Sequence, residues 1–353
     1  MKPADRSYFR PSERVVHPQS PSNFGEALKP TVLNVFLTFD TEVWCGGWND
    51  LDRRFPEAFR RYVYGPTPRG DGALPLILRI LNEHGLTGVF FVEPLFSKRF
   101  GVEPLSEIVS LVQDAGHEVQ VHLHTEWADV SDPPLIADIS QKRQHLAMFN
   151  LAQQTQLIGI GIEQLRKAGS ARFRAFRAGN YALDEHTAAA VRANGLDVDS
   201  SYNLASSFGQ HFQARGNHAL QAFAVDGILE YPISVFPEGS AHAPHALQIT
   251  SCSWPEMRRS LRQAKAAGWE SLVIVAHNFE LMNRAKNRID PIVLRRFEKL
   301  CAFLSQHRDE YRCVGFNEID AGAFDGEPKP LGGSPILRIG RMGEQALRRL
   351  YGG

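Results

Sequence analysis

The run Gly116-His117-Glu118-Val119-Gln120-Val121-His122-Leu123-His124-Thr125-Glu126 sets two imidazoles two residues apart, with a carboxylate two further on. Its alternation up to His124 predicts a strand, and residues i and i+2 of a strand leave the same face. His122 and His124 can therefore address one ion. Upstream, Thr38-Phe39-Asp40-Thr41-Glu42 sets two carboxylates at the same spacing. Histidine, aspartate and glutamate are the donors a zinc-type centre draws on, and such a centre suits metal-assisted hydrolysis. Asp40 and Glu42 follow Val35-Phe36-Leu37-Thr38-Phe39, an apolar run that would not tolerate unpaired charge. One metal ligand and one general base is the expectation; a helix cap or a buried ion pair is the alternative.

Other residues join by type and place. Glu126, on the following loop, competes with His124 as a ligand, whereas His117 opens the strand at its far end and is expected to be structural. Arg174 and Arg177 flank Ala175-Phe176, and an arginine at a strand end can hold an aspartate ionised. Arg177 is the better placed of the two. Gly179 permits a tight turn whose amides, near Tyr181, could face a developing oxyanion. His277 ends the buried run Ser271-Leu-Val-Ile-Val-Ala276 and suits a general acid, with a core histidine as the alternative. Asp199 either orients it or caps the turn that follows. Trp44, Trp48 and Trp127 lie in loops after these strands, as platforms for a sugar ring or as packing anchors. The segment 43–72 reads as a long loop, a lid or binding segment, with Arg53, Arg54, Arg60, Arg61 and Arg69 suited to a phosphate or carboxylate.

These residues need a scaffold. Strands are expected at 32–40, 87–92, 118–124, 172–177, 196–200, 228–234, 271–277 and 312–316. Helices are expected at 73–84, 104–115, 184–193, 254–267 and 290–307, with a long helical stretch at 135–168 broken near Gly159 and Gly161. This alternation argues for a parallel sheet, and about eight strands favour closure into a (β/α) barrel. Asp40, Glu42, His122, His124, Arg177 and His277 then all fall at C-terminal strand ends, the rim where barrel enzymes gather catalytic groups.

The 353-residue chain, 43% hydrophobic and 22% charged, has the composition of a folded protein. Its zero formal charge gives no global field toward nucleic acid or membrane. Four scattered cysteines without a CxxC pair fit a reducing, cytoplasmic compartment. Residues 1–30 are polar and proline-rich, expected to form a disordered leader without the apolar core of a signal peptide. No stretch is apolar for long enough to span a bilayer. Residues 31–319 are expected to form the catalytic domain. The tail, 320–353, is rich in Gly and Pro before a short basic segment at 336–351.

The set resembles the polysaccharide deacetylase family, carbohydrate esterase family 4 with its NodB homology domain, over residues 32–317. The resemblance rests on Thr38-Phe39-Asp40-Thr41-Glu42, on Gly116 through Glu126, on Phe176-Arg177-Ala178-Gly179-Asn180-Tyr181 and on Ile274-Val275-Ala276-His277. It implies a distorted (β/α) barrel of seven to eight strands and a divalent metal, zinc first. It also implies removal of acetyl groups from an acetylated glycan, and the arginine-bearing loop with the three tryptophans points to a sugar-phosphate intermediate. By resemblance Asp40 is the base, Arg177 its partner, His277 the acid, and Glu42 and His122 metal ligands. FLTFDTE with HLHTEW is similar to the branch associated with lipopolysaccharide or surface-glycan biosynthesis. Two departures stand out: Asp-Thr-Glu replaces adjacent aspartates, and Glu126 occupies the place of the second metal histidine. His124 or Glu126 must complete the triad. Allantoinase-like relatives that work on cyclic amides without metal, and a catalytically dead carbohydrate-binding module, are the alternatives.

Overall fold

The structure, a computed structural model, describes residues 32–137, 140–212, 220–238, 243–320, 322–326 and 328–350. The expected leader at 1–30 lies outside them. Nine strands form the main sheet: β1 (Leu33–Thr41), β2 (Gly88–Val92), β3 (Glu118–Leu123), β4 (Ala175–Ala178), β5 (Val198–Asp199), β6 (Phe223–Val225), β7 (Ile228–Glu230), β8 (Ser271–His277) and β9 (Tyr311–Cys313). Their order is β8-β1-β2-β3-β4-β5-β7-β6, with β9 beside the start of β1. All pairings are parallel except β6 with β7. The sheet curls as a half-barrel. The longer helices are α1 (Leu51–Phe59), α2 (Leu74–Glu83), α3 (Glu103–Asp114), α4 (Leu151–Lys167), α5 (Thr187–Ala193), α6 (Trp254–Ala266), α7 (Pro291–Gln306) and α8 (Pro335–Leu350), with short ones at Ser97–Phe100 and Ser207–Phe212.

The period-two geometry of each strand sorts the core. Val35, Leu37 and Phe39 of β1, Phe90 and Val92 of β2, and Val119, Val121 and Leu123 of β3 pack on the outer helices. Phe36, Val89, Phe91, Ala175, Val273 and Val275 face the barrel interior, where Phe36 stacks on Phe316 at 4.5 Å. Each inner row leads from apolar floor to polar rim: Asp40 on β1 and Glu42 just past it, Glu93 after β2, His122 on β3 and His124 just past it, Arg177 on β4, His277 on β8. The pleat makes these side chains converge.

Two expectations about helices are corrected. The described residues of 135–150 carry no α-helix and one 3₁₀ turn, at Leu146–Met148, while α4 runs unbroken through Gly159 and Gly161. A Cβ at Gly159 would lie 2.9 Å from Asn194 Oδ1, and one at Gly161 3.2 Å from Pro94. These glycines allow close approach rather than a break, and the Asn150–Gln153 capping box starts the helix. The segment 43–72 is not a plain loop. It contains α1, whose Leu51, Phe55, Ala58 and Phe59 bury one face. The basic segment at 336–351 lies within or beside α8.

Candidate active site

Glu42, His122 and His124 offer three ligand atoms within 4.8 Å of one another, all buried. Glu42 Oε1 lies 3.1 Å from His122 Nε2 and 2.8 Å from His124 Nε2. His122 Nδ1 donates to the carbonyl of Arg177 at 2.8 Å, which leaves Nε2 to face Glu42. On the far side of His124, Nδ1 meets Glu126 Oε2 at 3.2 Å. The structure thus separates the two competitors: His124 joins the cluster, and Glu126 stands behind it as the carboxylate that fixes the ring. Both nitrogens of His124 face carboxylates. Burial opposes its charging, but Glu42 and Glu126 outweigh that and hold its pKa well above the ordinary value. Burial likewise opposes ionisation of Glu42, yet the two histidines keep it well below the usual range. The imidazole and carboxylate donors of this buried cluster fit a zinc-type ion.

Beside it, Asp40, Glu42 and His277 form an overlapping group of the same compactness. Arg177, fully buried, donates to Asp40 Oδ1 at 2.7 Å and to Thr38 Oγ1 at 3.0 Å. Its other donors reach the carbonyl and hydroxyl of Ser200, and its guanidinium lies 4.1 Å from the ring centre of Phe91. Arg174 instead pairs with Asp197 and bonds the carbonyls of Phe316 and Ile319, a structural role. His117 is buried at the opposite end of β3 and accepts from the amide of Gly88.

His277 faces Asp40 across the β1–β8 register, and its Nδ1 meets Glu280 Oε1 at 2.7 Å. Burial would lower its pKa, but Glu280, Glu42 and Asp40 raise it to about 9. Asp199 does not orient His277. It accepts from Ser201 and shares its strand register with Glu230, a second buried carboxyl. Burial raises the pKa of both; the neighbouring Asp199 raises Glu230 further, while the hydrogen bonds from Ser201 and Glu230 partly offset the rise at Asp199.

The tryptophans divide. Trp44 Nε1 donates to Glu42 Oε2 at 2.6 Å and its ring meets His124 edge-on. Trp127, 1% exposed, packs among Trp48, Phe96 and Phe100, which makes it an anchor rather than a sugar platform. Of the loop arginines, Arg54 and Arg61 line a cleft of about 390 Å³ together with Trp44, Tyr62, Arg284 and Lys286. Arg53 pairs with Asp50, and Arg69 lies elsewhere.

Three residues were not foreseen. Asn278 clamps Glu42 by accepting from its amide at 3.0 Å and by donating to the carbonyl of Tyr62. Glu280 partners His277. Glu93, buried beneath the rim, accepts from the amides of Leu95 and Phe96, and burial pushes its pKa up to about 8. Its signal was available: a carboxylate closing the apolar strand Gly88–Val92.

Gly179 follows β4, and a Cβ there would sit 2.7 Å from both His124 Nδ1 and the carbonyl of Leu123. Gly179→Ala is therefore expected to push the ring of His124 off Glu126 and to weaken divalent-ion binding by about 10–100-fold. Titration against a chromophoric chelator checks this; wild-type affinity would mean that His124 is not a ligand. Asn180 and Tyr181 follow with φ of 56° each, a left-handed turn.

No family model matches the sequence, and no curated protein matches it. Among solved structures, the barrel is similar to a candidate polysaccharide deacetylase from Mycobacterium smegmatis. The TM-score is 0.55 at 17% identity, over 88% of this chain and 99% of that one. The shared fold is a distorted (β/α) barrel. A family 4 carbohydrate esterase from Streptomyces lividans in complex with acetate is more distant, with a TM-score of 0.42 at 12% identity over 84% of this chain and 98% of that one. Peptidoglycan deacetylase PdaC from Bacillus subtilis has a TM-score of 0.36 at 11% identity, over 91% and 99%.

Proposed function

We propose that this chain is a metal-dependent hydrolase that removes the N-acetyl group of an acetamido sugar. The sugar belongs to an anionic intermediate of surface-glycan or lipopolysaccharide assembly, handled in the cytoplasm. One observation carries the reading: a three-donor cluster, an arginine-held aspartate and a carboxylate-held histidine meet on one rim. Glu42, His122 and His124 would hold the ion, zinc first, with Glu126 behind His124. When bound, such an ion supplies Lewis acidity toward the acetyl carbonyl and makes a water more acidic. Asp40, fixed by Arg177, takes the proton of the attacking water. The amides around Tyr181 face the developing oxyanion. His277, kept protonated beside Glu280, gives its proton to the departing amine. The acceptor-rich surround of His124 favours this reading over a metal-independent cyclic amide hydrolase, and the ordered Asp40–Arg177 and His277–Glu280 pairs favour it over a dead binding module.

The cleft next to the rim supports an anionic substrate. Arg54, Arg61, Arg284 and Lys286 surround it, while Trp44 and Tyr62 supply ring faces for a sugar. Four free cysteines suit the reducing compartment. The test combines metal analysis with acetate release from phosphorylated and neutral N-acetylated sugars. Wild type is expected to carry about one ion. His122→Ala should lose it, and His117→Ala should keep it. Arg54→Gln with Arg61→Gln should raise KM for the phosphorylated sugar with little change in kcat, as when uniform binding is removed. Equal metal in wild type and His122→Ala, or faster turnover of neutral oligomers than of phosphorylated sugars, would defeat the corresponding half of the proposal.

A further inference from the structure

Helix α8 carries four arginines and one glutamate among apolar residues. At about 100° per residue, Ile336, Ile339, Gly343, Leu347 and Leu350 fall in one arc, with Arg341, Glu344, Gln345 and Arg348 opposite. The helix is docked with its polar side inward. Arg341, buried, pairs with Glu238 and with Glu256; Glu344 meets Arg296 at 2.5 Å; Arg348 meets Asp290 at 2.8 Å. Gln345 donates to the carbonyl of Thr250. The apolar arc is left to solvent: Ile336 and Leu350 are 80% exposed and Ile339 69%. Of the eight large apolar side chains exposed among the described residues, five are on this helix. Such concentration on one stripe marks an interaction surface rather than scatter.

A second feature adjoins it. A cavity of about 550 Å³ opens beside Leu347, with apolar walls from Ile289, Ile292 and Leu294 and with Arg69 and Arg288 at its lining. Arg69, Arg288 and Arg349 make no ion pair among the described residues, so their charge is available to a partner. We infer that α8 and this cavity form a docking surface for an anionic lipid bilayer. The stripe would enter the acyl boundary while the arginines meet phosphate headgroups. No described helix is long and apolar enough to cross a membrane; an amphipathic helix of this kind lies in the plane of the surface. Charge decides against a second copy of the chain as occupant. A two-fold contact through the same stripe would set the arginine rim of one copy against that of the other. The inference is independent of the chemistry at the barrel rim.

The test is co-sedimentation of the full chain with phosphatidylcholine vesicles, with and without phosphatidylglycerol. Binding is expected to need phosphatidylglycerol and to weaken with salt. Ile336→Ser with Ile339→Ser and Leu350→Ser alters only exposed groups. It should retain the wild-type melting temperature and lose at least about tenfold in partitioning, the effect of one buried Leu or Ile side chain. The single Ile339→Ser should shift partitioning the same way by less. Arg288→Gln with Arg349→Gln should lower binding to phosphatidylglycerol vesicles by about fivefold per charge. Acetate release from a soluble sugar should be unchanged in both sets. Absence of vesicle binding in wild type overturns the inference, as does wild-type binding by the serine variant. So does a dimer that the serine variant converts to monomer while vesicles remain unbound.

Discussion

Asp40→Asn is expected to keep its metal and lose about 10²–10⁴ of its turnover. The substitution is close to isosteric, so Arg177 retains an oxygen to bond at position 40, while the proton acceptor is gone. Glu42, His122 and His124 are untouched, and metal content should match wild type. The measurement is kcat for acetate release beside metal analysis on the same preparation. A near-normal rate with full metal would move the base elsewhere, and Glu93 would be the next carboxylate to examine. A loss of metal together with rate would instead place Asp40 among the ligands, as its shared cluster with Glu42 and His277 permits.

The second large effect concerns Arg177. It is buried, its Nη1 is 2.7 Å from Asp40 Oδ1, and its remaining donors serve Ser200 and Thr38. Arg177→Met keeps much of the volume against Phe91 but leaves the charge of Asp40 without its cation. Removing one partner of a buried pair costs about 3–5 kcal/mol, so the melting temperature should drop by several degrees and turnover should collapse. Combining it with Asp40→Asn removes the orphaned charge and should recover part of the stability with no activity. If the double variant melts no higher than Arg177→Met alone, the damage lies in the bonds to Ser200 rather than in the ion pair.

Much of this rim was legible because parallel strands are covered on both faces and stay apolar until the chain leaves the sheet. A polar residue at such an end stands out, as Asp40, Glu42, His122, His124, Arg177 and His277 do. Glu93 obeys the same rule but stands out less, because no second polar residue follows it two positions on. Other features depend on neighbours that spacing cannot supply. Gly159 and Gly161 read as helix breakers until Asn194 and Pro94 come against them. Asp199 could be paired with Glu230 only once β5 and β7 were known to be adjacent. Arg284 and Lys286 are more than 200 residues from Arg54 in sequence and meet it only in the folded cleft. The face of α1 was readable at Leu51, Phe55, Ala58 and Phe59, but its charged surface and Pro56 disguised it as loop.

The placement of Asp40 and Glu42 two residues apart at the end of β1 bears on how this protein can diverge. Inserting or deleting one residue within β1 would turn both carboxylates out of the barrel together, since a one-residue slip exchanges the two faces of a strand. Neither group can be repositioned without the other. Variation in what the protein accepts is therefore channelled into the connections beyond the strands, where lengthening leaves the rim in place. Drift at positions 43–50 or 279–289 can reshape the cleft of Arg54, Arg61 and Arg284 while the ladder from Asn34 to Asp40 against Ser271 to His277 keeps its register.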